Sequence, residues 1–165
     1  MREFRNARGG ALLEAALFVP ILVALLIGTL QLARITYTYY TLEKLMYGVA
    51  RSAGTQQGID FCNGQDPIVQ AAIANALLDA TGNPVVPGLT ADMFQIQIER
   101  YDPVAQALSA CDCSATGCDT SQGGLPPDFI VVSLTNGYSV QPVFWGFTPP
   151  PLALRPSVMV PYGGT

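Results

Sequence analysis

The stretch GGALLEAALFVPILVALLIGTLQLAR, residues 9–34, decides how the rest of the chain is read. From Ala11 to Leu30 its only charge is Glu14. As a helix this run rises roughly 30 Å, the thickness of a hydrocarbon core. Arg2, Arg5 and Arg8 precede it, and such flanking charge keeps an N-terminus in the cytoplasm while the body crosses. A cleaved secretory signal is the competing reading. Such a signal has an apolar region of about 7–15 residues and then a small-x-small cleavage site. The run here is longer, and LQLAR after it is a poor site. Glu14 has two readings of its own. It is an interfacial acid placed one turn into a helix, where the positive end of the dipole favours it. Alternatively, it is a charge held in lipid at a cost of about 2.5–3.5 kcal/mol, which seeks a partner.

The helical pattern continues past the apolar run. Ile35, Tyr39, Leu42, Met46, Val49 and Ala53 recur at steps of four and three, the stripe of an amphipathic helix. No Pro or Gly lies between Gly28 and Gly48, so one helix from about Ala11 to Ala53 is expected. The outer stripe packs on the chain's own globular part, with contact to neighbouring copies or partners as the sharper reading. Pro20 removes one backbone donor and clashes with the preceding turn, so a kink or local melting is expected near residues 16–20. Ala24 and Gly28 form a small-xxx-small pair at which helices can approach closely.

Residues 8–34, RGGALLEAALFVPILVALLIGTLQLAR, resemble the N-terminus of TadE/TadF-like minor pilins, the pseudopilins of tight-adherence (Flp-type) pilus systems, which are related to type IV pili. The shared pattern is a short basic leader, a glycine, four residues, a glutamate and an apolar helix. LMYGVARSAG, with Gly48 and Arg51, is similar to the family's small-residue stretch after the membrane helix. FIVVSLTNGYSVQPVF and LALRPSVMVPYGG are similar to its C-terminal strands. Many relatives carry an aromatic directly after the glutamate, where this chain has Ala15.

The resemblance implies cleavage by a prepilin peptidase between Gly9 and Gly10. Such a cut removes the leader and leaves the helix on the body. It implies that the new α-amine of one subunit neutralises Glu14 of its neighbour, with helix packing through Pro20, Ala24, Gly28, Ile35, Tyr39, Leu42, Met46 and Val49. The implied partners are other pilin subunits, pilus assembly proteins, the prepilin peptidase and, before assembly, the bacterial inner membrane. The implied path runs from a single-pass inner-membrane state with a periplasmic head to the pilus and cell surface. The divisions expected are a leader at 1–9, a membrane segment at 10–33, an extracytoplasmic half-helix at 34–54 and a head at 55–165.

In the head, DPIVQAAIANALLDATGN reads as a short helix. Asp66 is its cap, Pro67 its first residue and Gly82 its end, with Ile68, Ala72, Ile73, Ala76 and Leu77 facing inward. MFQIQIERY alternates as a half-buried strand. Residues 129–144 are strand-like. Asn136-Gly137 is either a tight hairpin turn or, as the family likeness favours, part of one long strand or a bulge. A last strand is expected from about Leu152 to Val160. The fold class is α+β, a long N-terminal helix on a small antiparallel sheet of three or four strands.

Residues 52–165 hold nine acids against Arg100 and Arg155, while residues 1–51 carry a net positive charge. An acidic body has no electrostatic footprint for nucleic acid. With no histidine in the chain, Ser-His-Asp and Cys-His catalysis and every His-containing zinc site are removed. The acids that remain form no paired motif, so no enzyme activity and no cofactor is expected. Cys62 stands apart from a C-x-C-x4-C cluster of Cys111, Cys113 and Cys118. That is not the paired spacing of a zinc site, and a calcium loop around Asp112 and Asp119 lacks the alternating acids. Two disulfides are expected, in an oxidising compartment. Three pairings are open, and the preferred one joins Cys62 to one of the cluster. A bridge of about 50 residues stabilises by roughly 4 kcal/mol in the chain-entropy model. Trp145, in VFWGF, reads as packing or as a subunit contact. Two functions compete after this: a pilus subunit, and a signal-anchored scaffold or binding protein that stays in the membrane.

Overall fold

The computed structural model describes residues 3–56, 58–62, 66–111, 127–143 and 148–163, with side chains on the first helix from Leu12 onward. Helix α1 runs Glu3–Gly54 without interruption. It continues through Pro20, so the local melting expected near residues 16–20 does not occur. A single proline costs one helical hydrogen bond and a local clash, and the helix runs on both sides of it.

The chain divides into two compact units. The first comprises residues 1–37 and 141–152. In it the Gln31 side chain donates to the Val143 carbonyl at 2.8 Å, and Gln141 donates to the Pro149 carbonyl at 2.6 Å. The second comprises residues 38–140 and 153–165 and holds the core.

In the second unit, helix α2 (Pro67–Leu77) starts as expected. Asp66 Oδ1 accepts from the Ile68 and Val69 amides at 2.9 and 3.3 Å, two donors that helix geometry leaves free. Its Oδ2 accepts from the Asp60 amide at 3.1 Å, which explains how a carboxylate can be 7% exposed. The helix ends at Leu77, five residues before Gly82. Leu78 turns extended and forms a bridge with Pro84. Asp79 closes the intervening loop, its Oδ1 accepting from the Thr81 hydroxyl, the Thr81 amide and the Asn83 amide. These bonds, the Thr81 hydroxyl first, hold the Asp79 carboxyl below its ordinary value. The inward face of α2 is Val69 and Ile73, while Ile68, Ala72, Ala76 and Leu77 are half-buried.

A short 3₁₀ turn (Ala91–Met93) leads into β1 (Phe94–Asp102), followed by β2 (Ala107–Ala110) and β3 (Phe129–Leu134). Strands β4 (Tyr138–Val140), β5 (Leu152–Leu154) and β6 (Ser157–Pro161) complete the set. The main sheet has the order β2-β1-β3-β6, antiparallel throughout. Ile98 lies opposite Ile130, which lies opposite Val160, and Ile96 opposite Val132. One face therefore carries the branched apolar residues, since strand side chains alternate. The helix packs on this sheet: Leu42, Met46, Val49, Ala50 and Ala53 are 1% exposed or less, as are Ile130 and Val132.

Of the strand-like run 129–144, Phe144 lies outside the described residues, and residues 129–143 form neither a hairpin nor one long strand. β3 stops at Leu134, and β4 pairs instead with β5 in a second, two-stranded sheet. Gly137 makes the transfer. Its φ is 72°, and a Cβ there would meet the Leu154 carbonyl oxygen at 2.8 Å. The last expected strand is likewise divided, at Arg155 and the buried Pro156. Proline has no amide to give a ladder, so the two halves serve different sheets. The C-terminal segment is tied to the end of α1 by the Gly163 amide on the Gly54 carbonyl at 2.9 Å and the Tyr162 hydroxyl on the Gln56 carbonyl at 3.1 Å. The Tyr162 ring also stands edge-on to Phe61 at 5.7 Å.

Met46→Ala is expected to destabilise the detergent-solubilised chain by about 2–5 kcal/mol in chemical denaturation, while Leu26→Ala, at a position 62% exposed, leaves the head's transition unchanged. Gly137→Ala combines left-handed strain with a backbone clash and is expected to lower the same transition by at least ~1–3 kcal/mol.

Candidate functional site: the N-terminal helix

Gly10 is exposed, and a Cβ on it would meet nothing within 4 Å. Glu14 follows four residues on, also exposed, which places it roughly 6 Å farther along the axis. This end of α1 thus presents a carboxylate within about one turn of the Gly9–Gly10 bond. The Gly9 backbone is helical.

Beyond Glu14 the apolar side chains stand uncovered. Leu17 is 61% exposed, Phe18 59%, Leu22 62%, Leu26 62% and Leu30 63%. The most apolar window of this helix has a mean hydropathy of 2.3 and no buried share. It is long and apolar enough to cross a membrane by length and composition. A soluble domain does not leave so large a contiguous apolar surface in water. Pro20 and Ala24 are exposed and Gly28 is half-buried, with open space where its Cβ would be. Thr29 folds its hydroxyl back onto the Leu26 carbonyl at 2.9 Å, which satisfies it without a partner helix.

The other sequence-selected helix residues behave differently. Leu42, Met46 and Val49 are buried in the head, Ile35 is half-buried and Tyr39 is 38% exposed. The Glu43 carboxylate, one turn on, raises the pKa of the Tyr39 hydroxyl by its charge and by accepting its hydrogen bond.

Cys62 and Cys111 are disulfide-bonded. Cys113 and Cys118, like Asp112, Asp119 and Trp145, lie outside the described residues. No cluster of three or more carboxylate or cysteine ligands occurs among the described residues.

Sequence reasoning missed several features. Ala50 belongs to the buried helix face, and Ile59, Val86 and Leu89 complete the core. Strand β2 was not expected, because Ala-Leu-Ser-Ala has little strand propensity of its own and forms by pairing with β1. On the outward side of α1 lie Tyr40, Lys44, Tyr47 and Arg51. Their spacing of four, three and four was a readable signal.

Residues 9–51 match the family described as TadE-like protein. The match begins at the Gly9–Gly10 pair, includes Glu14 and ends near the close of α1. No curated protein and no solved structure matches the chain.

The Tyr39–Glu43 pair gives a measurable sign. A raised folded pKa for a tyrosine favours the neutral form in the native state, so this contribution is present below the unfolded value of about 10 and is lost as pH rises through the folded value. In an ultraviolet difference titration, Glu43→Gln is expected to shift one tyrosine ionisation to lower pH.

Proposed function

We propose that this chain is a minor pilin, or pseudopilin, that helps assemble, prime or tip a tight-adherence pilus, acting as a structural subunit with no catalysis of its own. The observation that carries the reading is the TadE-like match over residues 9–51, a span that includes Gly9, Gly10 and Glu14 and a helix whose most apolar window has no buried share among the described residues.

The mechanism has three physical steps. The three leader arginines hold the N-terminus in the cytoplasm while the head enters the periplasm, an oxidising compartment that suits disulfide-bonded cysteines. A prepilin peptidase then cuts between Gly9 and Gly10, which removes the basic leader and creates an α-amine at Gly10. Membrane residence covers the apolar helix, and leaving the bilayer exposes it at roughly 1.5–3 kcal/mol for each large apolar side chain. Extraction therefore proceeds only where neighbouring helices replace the lipid. Within such a stack, Glu14 pairs with the α-amine of an adjacent subunit and fixes axial register. Removing either partner would strand a poorly solvated charge.

The chain's N-terminus distinguishes this from a signal-anchored scaffold. Intact mass of protein purified from its native membrane or filament is expected to show loss of residues 1–9. A retained Met1 in a chain that never leaves the bilayer would favour the scaffold. Glu14→Ala is expected to leave the head's folding unchanged and to reduce filament incorporation. Normal incorporation of that variant at parental expression would remove Glu14 from the mechanism.

A further inference from the structure

Two features of the second unit lie outside the buried core and the helix mechanism. One is the β1–β2 arm. Strand β2 is exposed along its whole length, and Tyr101 and Leu108, directly opposite across the two strands, are 48% and 40% exposed. At the turn Val104 is 92% exposed. That turn is ordered: Asp102 Oδ1 accepts from the Val104 and Ala105 amides at 2.8 and 3.2 Å, and Gln106 takes a φ of 50°. A two-stranded ribbon has little packing of its own, so an ordered arm that displays apolar side chains is suited to a partner.

The other feature is a groove of ≈ 590 Å³ between the last turns of α1 and helix α2, walled by small residues that include Gly48, Ser52, Ala72 and Ala76. Beside it α1 presents Tyr40 and Tyr47, 65% and 50% exposed, with the exposed cations Lys44 and Arg51. Tyrosine and arginine are favoured in the buried parts of interfaces. The charges are complementary to the rest of the head, where residues 52–165 carry nine acids against two arginines. Asp102 places one of those acids at the arm's turn.

We propose that the arm of one copy docks into the groove of the next. Val104 enters between the small side chains, and Asp102 faces Lys44 and Arg51. The two surfaces are different patches of the same chain, so the contact is heterologous and repeats as an open array rather than closing as a two-fold dimer. The rim charges select the arm's orientation more than they add affinity. This inference rests on the filament reading for the presence of neighbouring copies, and extends the contact from the helices to the heads.

The test uses the full chain in assembling cells, with tagged and untagged copies mixed and a benzophenone amino acid placed at Val104 or, in parallel, at Leu26. After irradiation, the Val104 probe is expected to crosslink to peptides covering residues 48–56 or 67–76 of a second copy. Arg51→Glu and Asp102→Lys are each expected to reduce that product about three- to ten-fold, with recovery when the two are combined. Asp102→Asn keeps the acceptor oxygen that orders the turn and is expected to weaken the product in the same direction. Capture of lipid, of a different protein or of another surface by the Val104 probe, while the Leu26 probe captures a neighbouring helix, would overturn the docking and leave the filament reading standing. Loss of both products in a chain that retains residues 1–9 would overturn both.

Discussion

The head depends on one seam, the face of α1 formed by Leu42, Met46, Val49, Ala50 and Ala53 against the branched residues of the sheet. Each of the larger side chains, withdrawn from water almost completely, contributes roughly 1.5–3 kcal/mol. In a small head with a modest core, that is a large share of the stability available. The same helix that carries the apolar run thereby also organises the globular part. The outermost element of the sheet is secured to the same place. Pro161 and Ile130 approach Gly54 closely, and the Tyr162 and Gly163 bonds hold the chain's end to the helix's end.

Continuity of α1 gives the molecule two faces suited to different surroundings. Its first half exposes leucine after leucine, in a helix long and apolar enough to cross a membrane. Its second half has used its apolar stripe inside the head and shows tyrosines and cations outward. An apolar helix of this kind is stable only in lipid or among other helices, because water imposes the full transfer cost on every uncovered side chain. Under the proposed function, insertion and assembly are alternative ways of covering one surface, with Glu14 the charge that each environment would have to accommodate.

Polar detail decides where the elements stop. Asp66 supplies the acceptors that start α2 and also restrains Asp60. Asp79 gathers three donors and closes the loop that ends it. Gly137 and Pro156 divide two strand-like runs between two sheets, the first by a conformation that other residues resist and the second by lacking an amide. Each is a local interaction worth little beside the seam, yet each fixes topology.

By itself the sequence determined the long helix, its apolar half, the buried stripe from Leu42 to Ala53, the Asp66 cap and strand β1, because each is written as a period or a capping pattern within a few turns of chain. The glycine-to-glutamate spacing also determined the TadE-like likeness. Only the tertiary structure decided that α2 turns Val69 inward, that β2 exists, and that residues 129–140 and 152–161 each serve two sheets. Those outcomes follow from which strand finds which partner. Cross-strand pairing joins residues far apart in the chain, and no local period records it. The groove beside Tyr47 and the exposed arm at Val104 belong to this second class, since both are made by elements meeting rather than by any one segment.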